Sequence, residues 1–254
     1  MNENMEKGQK EARIGLDSEK DIVRLINTNK QFKNLIKRCL DKLGFIIQGE
    51  IKARRDDVKT DIFLEDHLKV GVSIKSSTKT SFHQLDRRNL EKWRDSLCMP
   101  DDIFRIMKEA ILRVAQNPRN NFILEKDKEK IKDFFAKHIV NIVNEIFTRG
   151  EKNLKLLMIN DKRKHKLSLF RMEEVINFLV KNIRNNISFS SKGIIRLGDF
   201  ITVQRKGGDS SKIIIPKTNW KHPGNQLQFK FSPLKFAEYI EENKNIKICN
   251  VQLT

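Results

Sequence analysis

The apolar residues change period at Gly44, and this change most constrains what the chain can fold into. From Asp17 to Leu43 the positions Ile22, Leu25, Ile26, Phe32, Leu35, Ile36, Leu40 and Leu43 recur every three to four residues. That spacing predicts an amphipathic helix, interrupted near Asn27 to Asn29. After Gly44 come three short runs rich in β-branched and aromatic residues, Phe45–Lys52, Val58–Leu64 and Leu68–Ser76, separated by polar turns. They predict a three-stranded antiparallel meander over about 45–76.

Helical spacing returns at His83–Leu97, Asp101–Gln116 and Glu125–Phe147, a helical section over about 83–148. Leu154–Asn160 reads as a strand and Met172–Ile183 as a further amphipathic helix. Strand patterns follow within about 187–231, at Gly193–Leu197, Phe200–Arg205 and Gln226–Phe231, before a last helix at Pro233–Glu242. This order predicts an α/β architecture, a mixed central sheet flanked by helices. With Gly 11 and Pro 5 there is little material for linkers, so 1–254 is expected to form a single domain. Lys206–Asn225 is left as a loop long enough to suggest a functional role.

Lys and Arg number 51 against 33 Asp and Glu, a formal charge of +18. Such an excess suits a protein that grips phosphate backbones, although a lysine-favouring AT-rich genome or an anionic lipid surface would also accompany it. No run approaches the ~18 apolar residues of a membrane span, and the first residues, MNENMEKGQKEAR, contain no hydrophobic signal core. A bacterial cytoplasmic location with no membrane partner is expected. Cys39, Cys98 and Cys249 are scattered without CxxC spacing, so they are expected to be packing residues rather than a zinc cluster or a disulfide framework. The five histidines show no HExxH pairing, and Gly207-Gly208-Asp209-Ser210-Ser211-Lys212 lacks the spacing of a phosphate loop.

One polar constellation interrupts the apolar strands. Asp61 lies early in Lys59–Leu64, and Ser73 and Lys75 alternate onto one face of Val70–Lys75. If the hairpin turns near Asp66 and His67, Asp61 lies across from the Val72/Ser73 region. Phosphodiester hydrolysis needs a divalent cation that offsets phosphate charge and acidifies water, and magnesium takes carboxylate oxygens and water. Asp61 would be the ligand, Ser73 a weak or water-mediated one, and Lys75 would stabilise hydroxide and the pentacovalent charge. The alternative is an Asp that caps a turn and a Lys that is one of many on the surface.

Downstream, Gln204-Arg205-Lys206-Gly207-Gly208-Asp209 is followed by Asn225-Gln226-Leu227-Gln228-Phe229-Lys230. Together with Ser18–Ile22, Thr60-Asp61-Ile62, Ser73-Ile74-Lys75 and Phe82–Asp86, in that order, these segments resemble the HinP/MspI-like group of PD-(D/E)xK type II restriction endonucleases, whose HinP-type members cut GCGC. The resemblance is patchy but runs over nearly the whole chain. It implies a restriction-endonuclease-like domain and Mg2+-dependent cleavage of double-stranded DNA at a short, GC-containing site, with Mn2+ as a substitute. Asp61 and Lys75 would be catalytic with Ser73 beside them, and Glu19 would complete the metal shell. Ser73 stands where the group's (D/E/Q/N)xK motif has its variable first residue. The interval Ser210–Gly224 is longer than its counterpart.

Within this resemblance, Gly207 and Gly208 would let the backbone approach a groove or a phosphate closely. Arg205 can fork onto guanine, while Gln204 or Gln228 can pair with adenine or bridge bases. Lys206 and Asp209 complete the QRKGGD segment, and Asn225 shares the QLQFK strand with Lys230, which is expected on phosphate. Gln84 matches the glutamine that this group inserts into the base stack. A cognate DNA methyltransferase would be the functional partner, and the chain a monomer or weak homodimer. Two other readings share these residues: a DNA-binding module that does not cut, and a nuclease for nicked or otherwise structured nucleic acid.

Overall fold

A computed structural model describes residues 17–56, 59–65, 69–207 and 215–253. They divide into two compact units, one made by Phe82–Phe147 and Leu179–Ser232, the other by the chain up to Ser81, Thr148–Phe178 and the residues from Pro233 onward. No helix is long and apolar enough to cross a membrane among the described residues.

The second of these units holds a mixed six-stranded sheet. Helix α1 (17–28) gives way at Asn29 to α2 (Lys30–Lys42), and the Asn29 side chain accepts from Phe32 N at 3.0 Å as its N-cap. The predicted interruption thus falls at a cap. Gly44 follows α2 with φ +83°, a conformation that costs glycine little. The chain then forms the meander β1 (Lys52–Arg55), β2 (Ile62–Glu65) and β3 (Lys69–Ser77), antiparallel throughout. Its first strand starts later than the sequence suggests, because Phe45–Ile51 runs to it as irregular chain.

β3 pairs in parallel with β5 (Leu154–Asp161), which continues antiparallel into β6 (Lys166–Arg171) and β11 (Cys249–Gln252). Neither β6 nor β11 is predicted; β6 is an interior strand with charged residues at its ends, and β11 is an edge strand of four residues. On one face Val72, Ile74, Leu156, Met158, Leu167 and Leu169 pack with Ile22, Ile26, Ile36 and Leu40 of α1 and α2. The opposite face is covered by α7 (Pro233–Asn243), where Phe236 meets Phe170 edge-on at 5.4 Å. Period-2 alternation therefore separates two layers of core around β3 and β5.

Cys39 of α2 and Cys249 of β11 form a disulfide with Cα atoms 5.5 Å apart. This corrects the expectation that the cysteines only pack. Spacing along the sequence cannot reveal a pair that is brought together by docking an early helix on a late strand 210 residues away. Cys98 is the free, exposed cysteine.

The other unit holds an antiparallel five-stranded sheet in the order β4 (His83–Arg88), β10 (Leu227–Phe231), β9 (Ile201–Arg205), β8 (Ile195–Leu197), β7 (Ile187–Phe189). The predicted helix His83–Leu97 is corrected here: its first part is β4, and only α3 (Leu90–Leu97) is helical. His83–Arg88 is polar because it is an edge strand with one face in solvent, and α3 begins only after Asn89, whose backbone is extended. α4 (Asp101–Gln116) and α5 (Lys128–Thr148) lie where predicted. Trp93, fully buried, meets Phe229 at 4.7 Å with the rings tilted by 53°, donates from Nε1 to Leu227 O at 3.2 Å, and has the Arg88 guanidinium 4.3 Å from its ring centroid. Replacing it removes packing, an aromatic pair and a hydrogen bond together. Trp93→Ala is expected to lower the free energy of unfolding by about 3–5 kcal/mol, measured by urea denaturation.

Candidate functional site

Asp61 sits directly before β2, where its amide donates to Val72 O at 3.0 Å and continues the pairing with β3. Its side chain faces Ser73 and Lys75, which alternate onto the same side of β3. Asp61 Oδ2 accepts from Ser73 Oγ at 3.1 Å, from Lys75 Nζ at 3.3 Å and from the amide of Ile74. Lys75 Nζ also donates to Ser73 Oγ at 2.7 Å and to Ile74 O at 3.1 Å. One ammonium group is thus set among a carboxylate, a hydroxyl and a carbonyl oxygen, with its side chain only 23% exposed.

Glu19, in the first turn of α1, belongs to the same group. Burial holds its carboxyl above the ordinary value, and the negative charge of Asp61 acts in the same direction, while Arg55 and Lys75 oppose them. Arg55 NH2 lies 3.4 Å from Glu19 Oε2. The turn that carries Glu19 is fixed by its neighbour: Ser18 Oγ accepts from Ser76 Oγ at 2.7 Å and from Asn160 Nδ2 at 2.8 Å. α1 is therefore tied to β3 and β5 at the residue next to the carboxylate.

The approach to Asp61 is held by a residue 90 positions further along. Glu151 accepts from the amides of Lys59 and Thr60 at 2.8 and 3.0 Å and from Thr60 Oγ1 at 2.6 Å. Thr60 packs so closely on Gly71 that a Cβ there would lie 2.9 Å from its hydroxyl and 2.7 Å from Asn153 O. Sequence reading missed Glu151, Ser18, Asn160 and Arg55. Nothing in their spacing points to Asp61; the parallel crossover from β3 to β5 brings Glu151 and Asn160 near it, and the docking of α1 brings Ser18.

The donors present fit a hard divalent cation. Asp61 Oδ2, Ser73 Oγ and Ile74 O already surround one positive charge, and a cation beside them would offset the burial and the Asp61 charge that hold the Glu19 carboxyl above its ordinary value. Among the described residues no group of three or more His, Cys, Asp and Glu could hold a metal. Such a cation would keep part of its water shell, as magnesium does and as hydrolysis requires.

The sequence-predicted base-reading residues lie on the five-stranded sheet and are described on their own. Phe229, Val203 and Ile195 line up across β10, β9 and β8 on the face that meets Trp93 and Phe135. The residues between them form the other face. One row across the strands is Gln84, Lys230, Thr202, Arg196 and Ser188; the next is Arg87, Gln228 and Gln204. Gln228 Nε2 donates to Gln84 Oε1 at 3.2 Å, so two of the predicted glutamines are in contact.

Gln228 is buried, and so are Arg205 and Asn225, which are joined to each other: Arg205 Nε donates to Asn225 Oδ1 at 2.8 Å. Asn225 Nδ2 in turn donates to the carbonyls of Lys217 and Asn219 at 2.9 and 2.8 Å. The pair ties the base of the loop together. Lys206, half-buried, continues from it with its amide bonded to Gln226 O. Asp209 lies outside the described residues.

No family model matches the chain, and no curated protein matches it in sequence. In structure it is similar to a crystal structure of the restriction endonuclease MspI in complex with its cognate DNA. The TM-score is 0.55 at 13% identity, over 91% of this chain and 93% of that one. The chain therefore has the restriction-endonuclease fold, a mixed sheet with helices, as the sequence predicted.

The Glu19 shift has a testable sign. Its carboxyl keeps its proton more firmly in the folded chain than in the unfolded one, so stability falls as pH rises from the ordinary carboxylate value through the raised one. Without metal, Glu19→Gln is expected to melt above the parent protein at neutral pH, and the difference to close below about pH 4, where both states are protonated. Thermal melts across pH in the presence of EDTA check this.

Proposed function

We propose that this chain is a type II restriction endonuclease that hydrolyses both strands of double-stranded DNA at a short, GC-containing sequence, with Mg2+ as cofactor. The observation that carries the reading is Lys75 Nζ among Asp61 Oδ2, Ser73 Oγ and Ile74 O at the ends of two strands, within a restriction-endonuclease fold. Asp61, Ser73 and Glu19 would hold the metal, whose chemistry is to lower the pKa of bound water and to offset phosphate charge. Lys75 hydrogen-bonds the attacking oxygen and stabilises the charge that develops on phosphorus. Asp61 keeps Lys75 oriented until substrate enters.

Gln84 and Gln204 read base edges, with Gln228 holding Gln84 by the hydrogen bond between them, Lys206 and Lys230 hold phosphate, Arg205 with Asn225 shapes the base of the loop, and Asp209 in that loop faces the DNA as the resemblance implies. The chain acts over its full length as one endonuclease domain, as a monomer or weak homodimer in the bacterial cytoplasm. A cognate methyltransferase protects the host sites. Mn2+ supports the same reaction.

Ser73, standing where an acid would be a stronger ligand, favours one other reading, a module that binds DNA without cutting it. Incubation with a mixed-sequence plasmid separates the two. Discrete fragments are expected with Mg2+ or Mn2+ and none with EDTA, and Asp61→Ala or Lys75→Ala should slow cleavage by about 10²-fold or more. Salt-sensitive binding with no cleavage in any divalent metal would support the binding module, and undiminished cutting by both variants would contradict the assigned site.

A further inference from the structure

Two arginines on the five-stranded sheet have no role in the reading above. Arg87 of β4 and Arg196 of β8 are exposed, and neither makes an ion pair among the described residues. Both lie on the face opposite the Trp93 core. Arg87 is level with Gln228 and Gln204; Arg196 is level with Thr202, Lys230 and Gln84. No acidic side chain shares that face among the described residues of these strands. Gln204 and Lys230, half-buried, and Gln228 and Thr202, buried, occupy its middle, with Gln84 exposed beside Arg87 on β4, and guanidinium groups stand toward two sides.

The distances suit a duplex. Neighbouring strands lie about 4.8 Å apart, so the three steps from β4 to β8 separate Arg87 and Arg196 by roughly 14 Å across the sheet. A B-DNA major groove is about 12 Å wide, with phosphates on both rims and hydrogen-bonding base edges between them. The major groove of an RNA duplex is too deep and narrow for such a surface. Arginine is the side chain suited to phosphate, since its planar fork can donate two hydrogen bonds to one group.

We infer that this sheet face docks on the major groove of duplex DNA, with Arg87 and Arg196 clamping the phosphates of its two rims while the amides of Gln84 and Gln204 meet base edges. The inference rests on the nuclease reading and adds two phosphate contacts to it. Both are positioning contacts, so they act on affinity for every sequence alike.

Fluorescence anisotropy with labelled DNA and RNA duplexes, in EDTA and over a range of NaCl concentrations, tests the assignment for the parent protein, Arg87→Ala, Arg196→Ala and Arg196→Lys. Removing either arginine should lower the slope of log Kd against log salt by about one for cognate and unrelated DNA alike, with melting temperature unchanged. Arg196→Lys should restore the slope. Slopes and affinities that match the parent's in both alanine variants, or RNA duplexes bound as tightly as DNA, would overturn the docking surface. Neither result bears on the nuclease reading, which fails only if no duplex is cut with any divalent metal or if Asp61→Ala cuts normally.

Discussion

An ionised Asp61 at the ends of β2 and β3, with its side chain only 19% exposed, would be costly without donors around it. The chain supplies three, from Ser73, the Ile74 amide and Lys75, each of which depends on the register of β2 against β3. A slip of one residue would turn Ser73 and Lys75 into the apolar layer beneath α1 and α2 and Val72 and Ile74 out of it. The hydrophobic alternation that packs α1 and α2 onto the sheet is thus the same constraint that assembles the polar cluster on its other side.

The supports around that cluster are built in the same way. Glu151 fixes the two residues before Asp61, and Ser18, bonded to Ser76 and Asn160, fixes the turn that bears Glu19. Each support reaches across from a different element, so the carboxylates are positioned by the crossover from β3 to β5 and by the docking of α1, not by local sequence. In the five-stranded sheet the division is by face: an aromatic side meets Trp93 and Phe135, and a polar, cationic side carries Arg87, Gln228, Gln204 and Arg196.

Much of this was legible in the sequence where a single period governs a long segment. α1 and α2, α4, α5 and α7 follow from helical spacing, and Asp61, Ser73 and Lys75 from alternation within two apolar strands. What escaped was non-local or edge-bound. β4 reads as the start of a helix because an edge strand with one wet face has little apolar alternation, and β11 is an edge strand of four residues, too short to show a pattern. The disulfide between Cys39 and Cys249 and the hydrogen bonds of Glu151 join residues about 210 and 90 positions apart, which no spacing rule connects. Arg205 shows the converse: its residue type suits guanine, but burial beside Asn225 gives it work inside the loop.

If, as proposed, the Asp61 cluster cuts duplex DNA at a sequence the chain itself selects, sequencing the ends released from a random-sequence duplex library in Mg2+ will show it. The same short GC-containing motif is expected at every break, at a fixed distance from the cut in both strands. Breaks distributed without regard to sequence, or a library left intact, would contradict it.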